Sequence, residues 1–274
     1  MWPTPLTPPP GAAAHAAEVA RALSAKAREL ALVAAAAAAP PVLYADEHLC
    51  AVAKPAGRYC EAVCEAVPGH TWLAHRLDRD TSGVLLLTRR PSLPKLAHAF
   101  ASGAVTKRYL ALTAGPPAGG WAPWGDSGEL RVTCGHGRSA GGLWRAYAAQ
   151  DVGAALPSGG GTVKATTTAL TRLSAAGDGP ALLLAAPEQG RTHQIRLAAQ
   201  LAGAPLAGDV RYGGACVPAG DAGVETHCLH AALLALSHPV FGTPLVIAAP
   251  LPGWADACGP DARARAEAVL VAWC

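Results

Sequence analysis

Short apolar runs separated by glycine and proline, which begin at residue 42, constrain the fold of this 274-residue chain most strongly. Such runs, bounded by turn-forming residues, are typical of β-strands. Strands are predicted at 42–44, 50–53, 84–88, 109–113, 164–173, 181–186, 229–236 and 244–248, and helices at about 93–102, from about 192 and from about 262. Because so few crossover helices accompany so many strands, the pattern favours an α+β fold around a mixed sheet over a doubly wound fold.

Two parts of the chain differ in composition from this pattern. Residues 1–40 have a proline-rich start followed by an alanine-rich predicted helix at 12–39, and they contain few acidic residues. They fit either an organellar transit segment or a plain N-terminal helix. Residues 41–274 are predicted to form one larger domain. Within it, residues 115–161 are rich in glycine, proline and tryptophan and are interpreted as an insertion with no assignable elements.

The charge of the chain is unevenly distributed. The formal net charge is only +3, yet the segment from Thr71 to Leu110 contains seven basic residues and only two acidic ones, Asp78 and Asp80. The basic residues of this segment are Arg76, Arg79, Arg89, Arg90, Lys95, Lys107 and Arg108. Two interpretations remain open, a surface that attracts a polyanion such as RNA and a merely solvated basic face.

Cysteine spacing and short motifs argue against several classes of protein. The eight cysteines form no Cys-x-x-Cys pair, which favours reduced thiols in an intracellular protein. The cysteines and histidines closest in sequence lack the spacing of a zinc cage, so no metal site is predicted; these are Cys60, Cys64, His70, His75, His227 and His230. No glycine-rich phosphate loop is present, which argues against an ATP- or NAD-dependent enzyme. No uninterrupted apolar run approaches the roughly 20 residues of a membrane span.

The segment HRLDRDTSG, at residues 75–83, combines features that neither a surface loop nor a core strand needs. It sets Asp78 between two arginines, continues with the turn formers Thr81-Ser82-Gly83, and then enters an apolar strand. Since the strand anchors the loop in the core, we expect Asp78 to be held on a rigid platform.

Together with the residues that follow it, this segment, HRLDRDTSGVLLLTR, resembles the catalytic motif of the RluA-type pseudouridine synthases, which isomerise uridine in structured RNA. Further blocks resemble that family in the same order: VLYADEHLCAVAKPAG at 42–57, KRYLAL at 107–112, EQGRTHQIR at 188–196, GAPLAGDVRYGG at 203–214 and HCLHAALLALSHPVFGTPL at 227–245. The resemblance spans residues 42–256 and implies the pseudouridine synthase fold, with a mixed, largely antiparallel central sheet, flanking helices and an RNA-binding cleft. It makes residues 41–274 the catalytic domain.

The resemblance also implies catalytic roles. Asp78 would act at the ribose, as nucleophile or as base, and Arg196 would be its ion-pair partner. The ring of Tyr109 would pack against the target uracil, and its hydroxyl would help to remove the proton from carbon 5. The reaction moves the ribose from nitrogen 1 to carbon 5 without net redox change, so no cofactor is expected. His193 and Gln194 would orient Arg196 and the local turn.

RNA recognition follows from the same resemblance. The predicted phosphate contacts are Arg76, Arg79, Lys107, Arg108 and Arg191. The target base must leave its stack, which favours loops and bulges of a ribosomal or transfer RNA. We expect a monomer that acts in the cytoplasm or in an organelle, either a chloroplast or a mitochondrion.

Two other functions are compatible with parts of the pattern. One is an RNA-binding protein of the same fold that has lost catalysis, against which the presence of Asp78, Tyr109 and Arg196 argues. The other is a glycosidase-like hydrolase that uses Asp78 and Asp80 as a carboxylate pair.

Overall fold

The computed structural model describes residues 3–6, 39–69, 71–90, 93–175, 177–214 and 226–273. The helix predicted at 12–39 lies almost wholly outside these residues, so the domain boundary near residue 40 stays a prediction. Among the described residues, no helix has both the length and the apolar character needed to cross a membrane.

One eleven-stranded sheet organises the described part of the chain. Its strands are β1 (Val42–Ala45), β2 (Leu49–Lys54), β3 (Trp72–Leu73), β4 (Ser82–Thr88), β5 (Thr106–Leu112), β6 (Glu129–Arg138), β7 (Trp144–Tyr147), β8 (Lys164–Arg172), β9 (Leu182–Pro187), β10 (Leu229–Ser237) and β11 (Pro244–Ala248). The order is β1-β2-β4-β10-β5-β9-β8-β6-β7, with β11 beside β10 and β3 beside β4. Only β4 and β10 pair in parallel, which confirms the prediction of a mixed, largely antiparallel α+β fold.

Four helices accompany the sheet in the described residues: α1 (Cys60–Ala66), α2 (Pro94–Ser102), α3 (Gln194–Leu201) and α4 (Pro260–Val271). The last three agree with the predicted helices, and α2 ends at Gly103, whose φ of 79° is the left-handed conformation typical of a helix end. The sequence did not predict α1. Its seven residues are too few for a helical period to stand out.

The segment at 115–161, to which the sequence pattern assigned no elements, contains regular structure. It contains β6 and β7, and β6 pairs with both β7 and β8. Two of its glycines are needed for packing rather than for a loop. A Cβ atom at Gly135 would overlap Val163, and one at Gly137 would overlap Leu156. Strands β6 and β7 form the end of the sheet beyond β8.

Strand β4 forms the rigid base of the fold. Its residues from Val84 to Leu87 are at most 1 % exposed, and both faces pack into the core. At its start, Gly83 lies opposite Ala231 of β10, and a Cβ atom there would overlap the Ala231 backbone. Glycine thus lets β10 approach the strand where the Asp78 loop enters it.

A polar cluster around Asp46 ties the β1–β2 turn to the hairpin between β10 and β11. Its carboxylate accepts hydrogen bonds from the backbone N–H groups of His48 and Leu49, both at 2.7 Å. Tyr44 Oη donates to it at 2.5 Å, and His238 Nε2 lies 2.9 Å away. Burial raises the pKa of Asp46, but these hydrogen bonds outweigh it and lower that pKa to about 2.

Candidate active site

A cleft of about 1070 Å³ opens beside the Asp78 loop. Its walls come from α1, α2, β5, the loop between β3 and β4, and the connection from β9 to α3. Asp78, Tyr109 and Arg196 all line it, although they are far apart in the sequence. The structure therefore brings the three predicted catalytic residues together.

Two hydrogen-bond donors, the Thr81 N–H and Lys54 Nζ, fix the backbone of the Asp78 loop. The Thr81 N–H donates to the Asp78 carbonyl at 3.1 Å and closes a tight turn. Lys54, which is 1 % exposed, donates from Nζ to the Arg79 carbonyl at 2.7 Å and to two further carbonyls of its own segment. The carboxylate of Asp78 remains 23 % exposed toward the cleft.

A second support comes from α1. Cys60 Sγ accepts from the Leu77 N–H at 3.2 Å and donates to the Leu77 carbonyl at 3.3 Å. This thiol fixes the residue directly before Asp78. Burial raises the pKa of Cys60, so the group stays a neutral thiol that can serve both bonds.

The hydroxyls of the Thr81-Ser82 pair each meet a histidine at the start of β10. Thr81 Oγ1 lies 2.9 Å from His227 Nε2, and Ser82 Oγ lies 2.8 Å from His230 Nδ1. Burial lowers the pKa of His227 well below its usual value and that of His230 to about 4. Both imidazoles are therefore neutral at physiological pH, and they anchor the loop where it joins β4.

Arg196 of α3 is the ion-pair partner of Asp78. Its Nη1 lies 3.2 Å from Asp78 Oδ2. Its Nε and Nη2 donate to the two carboxylate oxygens of Asp209, at 2.7 and 2.8 Å. Burial alone would lower the pKa of Arg196, but Asp209 and then Asp78 raise it above its usual value. The guanidinium is thus a permanent cation in a fixed orientation.

Asp209 is the site residue that the sequence analysis missed. It stands in the block GAPLAGDVRYGG, which was matched to the family without a role for its carboxylate. Its side chain is 1 % exposed, and both carboxylate oxygens accept hydrogen bonds from Arg196. A buried carboxylate needs such a partner, but only the fold tells which arginine supplies it.

Tyr109 lies on the cleft side of β5. Burial, together with the nearby Asp78 carboxylate, raises the pKa of Tyr109 well above its usual value. The phenol therefore keeps its proton at any physiological pH. Its ring lines the cleft and can pack against a bound base, and the part of its hydroxyl in proton removal stays a prediction.

His193 and Gln194 have different partners. Gln194 accepts from the Arg191 N–H at 3.1 Å and donates to Thr167 and Thr168 of β8, so it fixes the turn before α3 as expected. His193 instead faces the cleft, with Nε2 3.8 Å from Asp78 Oδ2. Its Nδ1 lies 2.8 Å from Tyr212 Oη.

Comparison with known proteins identifies the family. The family model described as RNA pseudouridylate synthase matches residues 65–202. The chain belongs to this family. RNA pseudouridine synthase 1 of Oryza sativa subsp. japonica is 37 % identical over 93 % of this chain and 84 % of its own length. RNA pseudouridine synthase 1 of Arabidopsis thaliana is 40 % identical over 78 % of this chain and 76 % of its own length.

Other similarities extend beyond plants. Ribosomal large subunit pseudouridine synthase C of Vibrio vulnificus is 30 % identical over 77 % of this chain and 65 % of its own length. The solved structure of human RNA pseudouridylate synthase domain containing 4 has a TM-score of 0.57 at 20 % identity, over 89 % of this chain and 97 % of that one. It shares the fold. The activity of this chain is that of an RNA pseudouridine synthase, an isomerase.

The basic residues predicted to meet RNA divide between two faces of this synthase. Arg76, Arg79, Lys107 and Arg191 line the cleft. Arg108 does not line the cleft, so its predicted place beside the substrate is incorrect. Because side chains alternate along a strand, Arg108 points away from Lys107 and stacks on Trp273, 4.5 Å from the ring centre.

Two further charges of the basic segment are engaged elsewhere. Arg89 donates from Nε to the Asp46 carbonyl at 2.9 Å, at the far end of β4. Asp80 is paired with Arg79, at 2.7 and 3.1 Å, and does not line the cleft. The basic segment is therefore not one continuous surface. A carboxylate pair of Asp78 and Asp80, as a glycosidase-like hydrolase would need, is not formed.

Within the ranges that the structure describes, no three His, Cys, Asp or Glu side chains converge as a metal site. His75, one of the residues considered for zinc, instead accepts a hydrogen bond from the Leu86 N–H at 3.0 Å and stacks on Phe100. Burial lowers the pKa of His75 to about 4, so it acts as a neutral structural residue.

Proposed function

We propose that this protein converts uridine to pseudouridine in structured RNA and that Asp78 is the catalytic carboxylate. The observation that carries the proposal is the ion pair of Asp78 with Arg196 inside a cleft that Tyr109 also lines. A carboxylate that acts on a ribose must be ionised, fixed and accessible. Arg196 places a positive charge 3.2 Å from it, the loop contacts fix it, and its 23 % exposure leaves it open to a substrate.

The three residues would divide the reaction between them. Asp78 attacks carbon 1 of the ribose, or takes a proton from the ribose, as the bond to nitrogen 1 of uracil breaks. Tyr109 packs its ring against the uracil while the base turns to present carbon 5. Arg196 pairs with the carboxylate and holds it in the same position for the next turnover.

The basic residues of the cleft would bind the RNA backbone. Arg76, Lys107 and Arg191 have no carboxylate partner among the residues that the structure describes, and Arg79 shares its charge with Asp80. Phosphate contacts of this kind position the strand without reading its sequence. Because flipping a base out of a stack costs a few kcal/mol, loops and bulges are the favoured targets.

The RNA class and the compartment form a finer part of the proposal. The similarity to ribosomal large subunit synthases supports ribosomal RNA as the substrate, with transfer RNA as the alternative. We further propose a monomer that acts inside the cell. The cysteines in the described residues are free thiols, which fits a reducing compartment. The similarity to plant proteins and the acid-poor N-terminal segment support an organelle over the cytoplasm.

The test is direct conversion of defined RNA. Purified protein is incubated with unmodified ribosomal and transfer RNA, and pseudouridine is mapped chemically and by mass spectrometry. We expect pseudouridine at one or a few loop uridines, at sites that are unmodified in RNA from a strain lacking the protein. RNA that is bound but never modified would contradict the proposal and would instead indicate an inactive RNA-binding protein.

A further inference from the structure

The cleft has room for more of the RNA than the target uracil. Its volume of about 1070 Å³ is at the upper limit of the roughly 300–1,000 Å³ of pockets that hold whole drug-sized ligands. The proposed roles assign Asp78, Tyr109 and Arg196 to the target nucleotide and the cationic side chains to the RNA backbone. They leave the wall that α2 contributes without a function.

The wall formed by α2 is apolar. Ala97, Phe100 and Ala101 line the cleft, and their spacing places them on one face of the helix. The ionisable side chains of α2, Lys95 and His98, do not line it. Because the two alanine side chains end at Cβ, Phe100 is the largest apolar side chain that α2 presents to the cleft. Phe100 is only partly buried, so part of its ring surface remains accessible there.

The ring of Phe100 is held in place by His75. The two rings are stacked, with centroids 5.0 Å apart and planes inclined by 25°. His75 in turn accepts a hydrogen bond from the Leu86 N–H of the buried strand β4 at 3.0 Å. Burial, aided by the nearby Lys107 ammonium, lowers the pKa of His75 to about 4, so the stack is neutral. A ring that is fixed before binding loses little conformational entropy when a ligand packs on it.

We propose that Phe100 is a stacking platform for the base of a nucleotide adjacent to the target uridine. This inference rests on the proposed function and adds a second base-binding position to the same cleft. When the target base leaves its stack, its neighbours each lose a stacking partner, which costs free energy. An aromatic side chain can replace that partner, as is common in proteins that bind single-stranded RNA.

The surroundings of Phe100 suit a nucleotide, which combines a flat base with an anionic phosphate. Lys107 also lines the cleft, and its Nζ donates to the Gln189 carbonyl at 3.1 Å. An ammonium group has three N–H donors, so this bond leaves Lys107 able to meet a phosphate. His75, which supports the ring, stands three residues before Asp78 on the same loop. The platform therefore lies at one end of the loop that carries the catalytic carboxylate.

A double-mutant cycle between protein and RNA tests the platform. Phe100→Leu keeps an apolar side chain but removes the aromatic face. Affinity is measured for a stem-loop RNA with a uridine that the wild type converts, and for two versions with an abasic nucleotide directly 5′ or directly 3′ of it. In wild type, one abasic version should bind about 5- to 30-fold more weakly, the loss expected for one base–aromatic stack. In Phe100→Leu, that version and the intact RNA should bind almost equally.

The cycle has its own controls. A general disturbance of packing by Phe100→Leu weakens all the RNAs alike and cancels in the comparison. Phe100→Tyr keeps the ring and should retain the abasic penalty. Phe241, the other phenylalanine of the chain, stacks on His238 with centroids 4.5 Å apart and planes inclined by 18°, but it does not line the cleft. Phe241→Leu removes an equivalent stack and should leave every affinity at its wild-type value.

The outcomes distinguish this inference from the function on which it rests. Wild-type protein that converts no uridine in any RNA would overturn the proposed function. Active wild type that binds the intact RNA and both abasic versions equally would overturn only the platform, and this result needs no variant to fold. An abasic penalty that persists undiminished in Phe100→Leu would also overturn it, since the adjacent base would then bind elsewhere.

Discussion

Replacing Asp209 by asparagine tests how Arg196 is held. The substitution keeps the size of the side chain but removes the charge that meets Nε and Nη2 of Arg196 at 2.7 and 2.8 Å. Both side chains are buried, at 1 % and 7 % exposure. Breaking a buried ion pair from one side costs about 3–5 kcal/mol, because the other charge stays buried. Arg196 would still pair with Asp78, whose Oδ2 lies 3.2 Å from Nη1. We therefore expect the free energy of unfolding to fall by the lower end of that range, about 3 kcal/mol.

The matched control is Asp78→Asn, which removes the other carboxylate of Arg196. Asp78 is 23 % exposed, and Arg196 would keep both bonds to Asp209. The free energy of unfolding should therefore fall only by the contribution of a surface ion pair, about 0–1 kcal/mol. At about 2–4 °C per kcal/mol for a chain of this size, Asp209→Asn should lower Tm by about 6–12 °C in a calorimetric scan. If Asp78→Asn proved as destabilising as Asp209→Asn, the orientation of Arg196 would not depend on Asp209 as described.

Three further predictions follow from named contacts. RNA affinity should fall with salt at a log–log slope of about −2 if Arg76, Lys107 and Arg191 each neutralise one phosphate of a single strand. Lys107→Ala should reduce that slope by about 0.7, whereas Arg108→Ala, on the opposite face, should not; equal effects would contradict the assignment of faces. Tyr109→Phe should keep RNA affinity, because the ring remains, while turnover should fall, because the hydroxyl expected to help remove the carbon 5 proton is lost; unchanged turnover would reduce Tyr109 to a packing residue. Because the pKa of Asp46 is lowered in the folded state, its stabilising effect should be complete above pH 4 and vanish as pH falls toward 2. The free energy of unfolding of wild type should thus exceed that of Asp46→Asn by a constant amount above pH 4, and the difference should shrink as the pH falls from 4 toward 2; a difference that stays constant down to pH 2 would refute the shift.

Much of the fold and the centre of the site could be predicted from the sequence. The apolar run after HRLDRDTSG is continuous, so β4 had to be a strand buried on both faces, and the loop before it had to present Asp78. The strands β6 and β7 were missed because the segment at 115–161 is rich in glycine, proline and tryptophan, which hides the pattern of a strand. Gly135 and Gly137 have no side chains and so leave space for Val163 and Leu156 to pack against these strands. No local sequence pattern reveals such a contact between distant residues.

The parts of the site that the sequence could not predict depend on contacts between distant segments. Asp209 and Arg196 come from different blocks, and only the packing of α3 makes them partners. The orientation of His193 depends on a left-handed backbone, a conformation too uncommon outside glycine to be assigned from the sequence alone. The place of Arg108 was within reach of the sequence. If Tyr109 faces the cleft, strand alternation turns its neighbour away.

The central claim is that Asp78 is the catalytic carboxylate, and one comparison tests it most directly. Wild type, Asp78→Asn and Asp80→Asn are incubated with the same RNA, pseudouridine is quantified by mass spectrometry, and RNA affinity is measured alongside. We expect Asp78→Asn to form no pseudouridine while it binds RNA at least as tightly, since a negative charge has left a surface that meets phosphates. Asp80→Asn should remain active, because Asp80 contacts Arg79 and lies outside the cleft lining. Pseudouridine made by Asp78→Asn, or an inactive Asp80→Asn, would contradict the account.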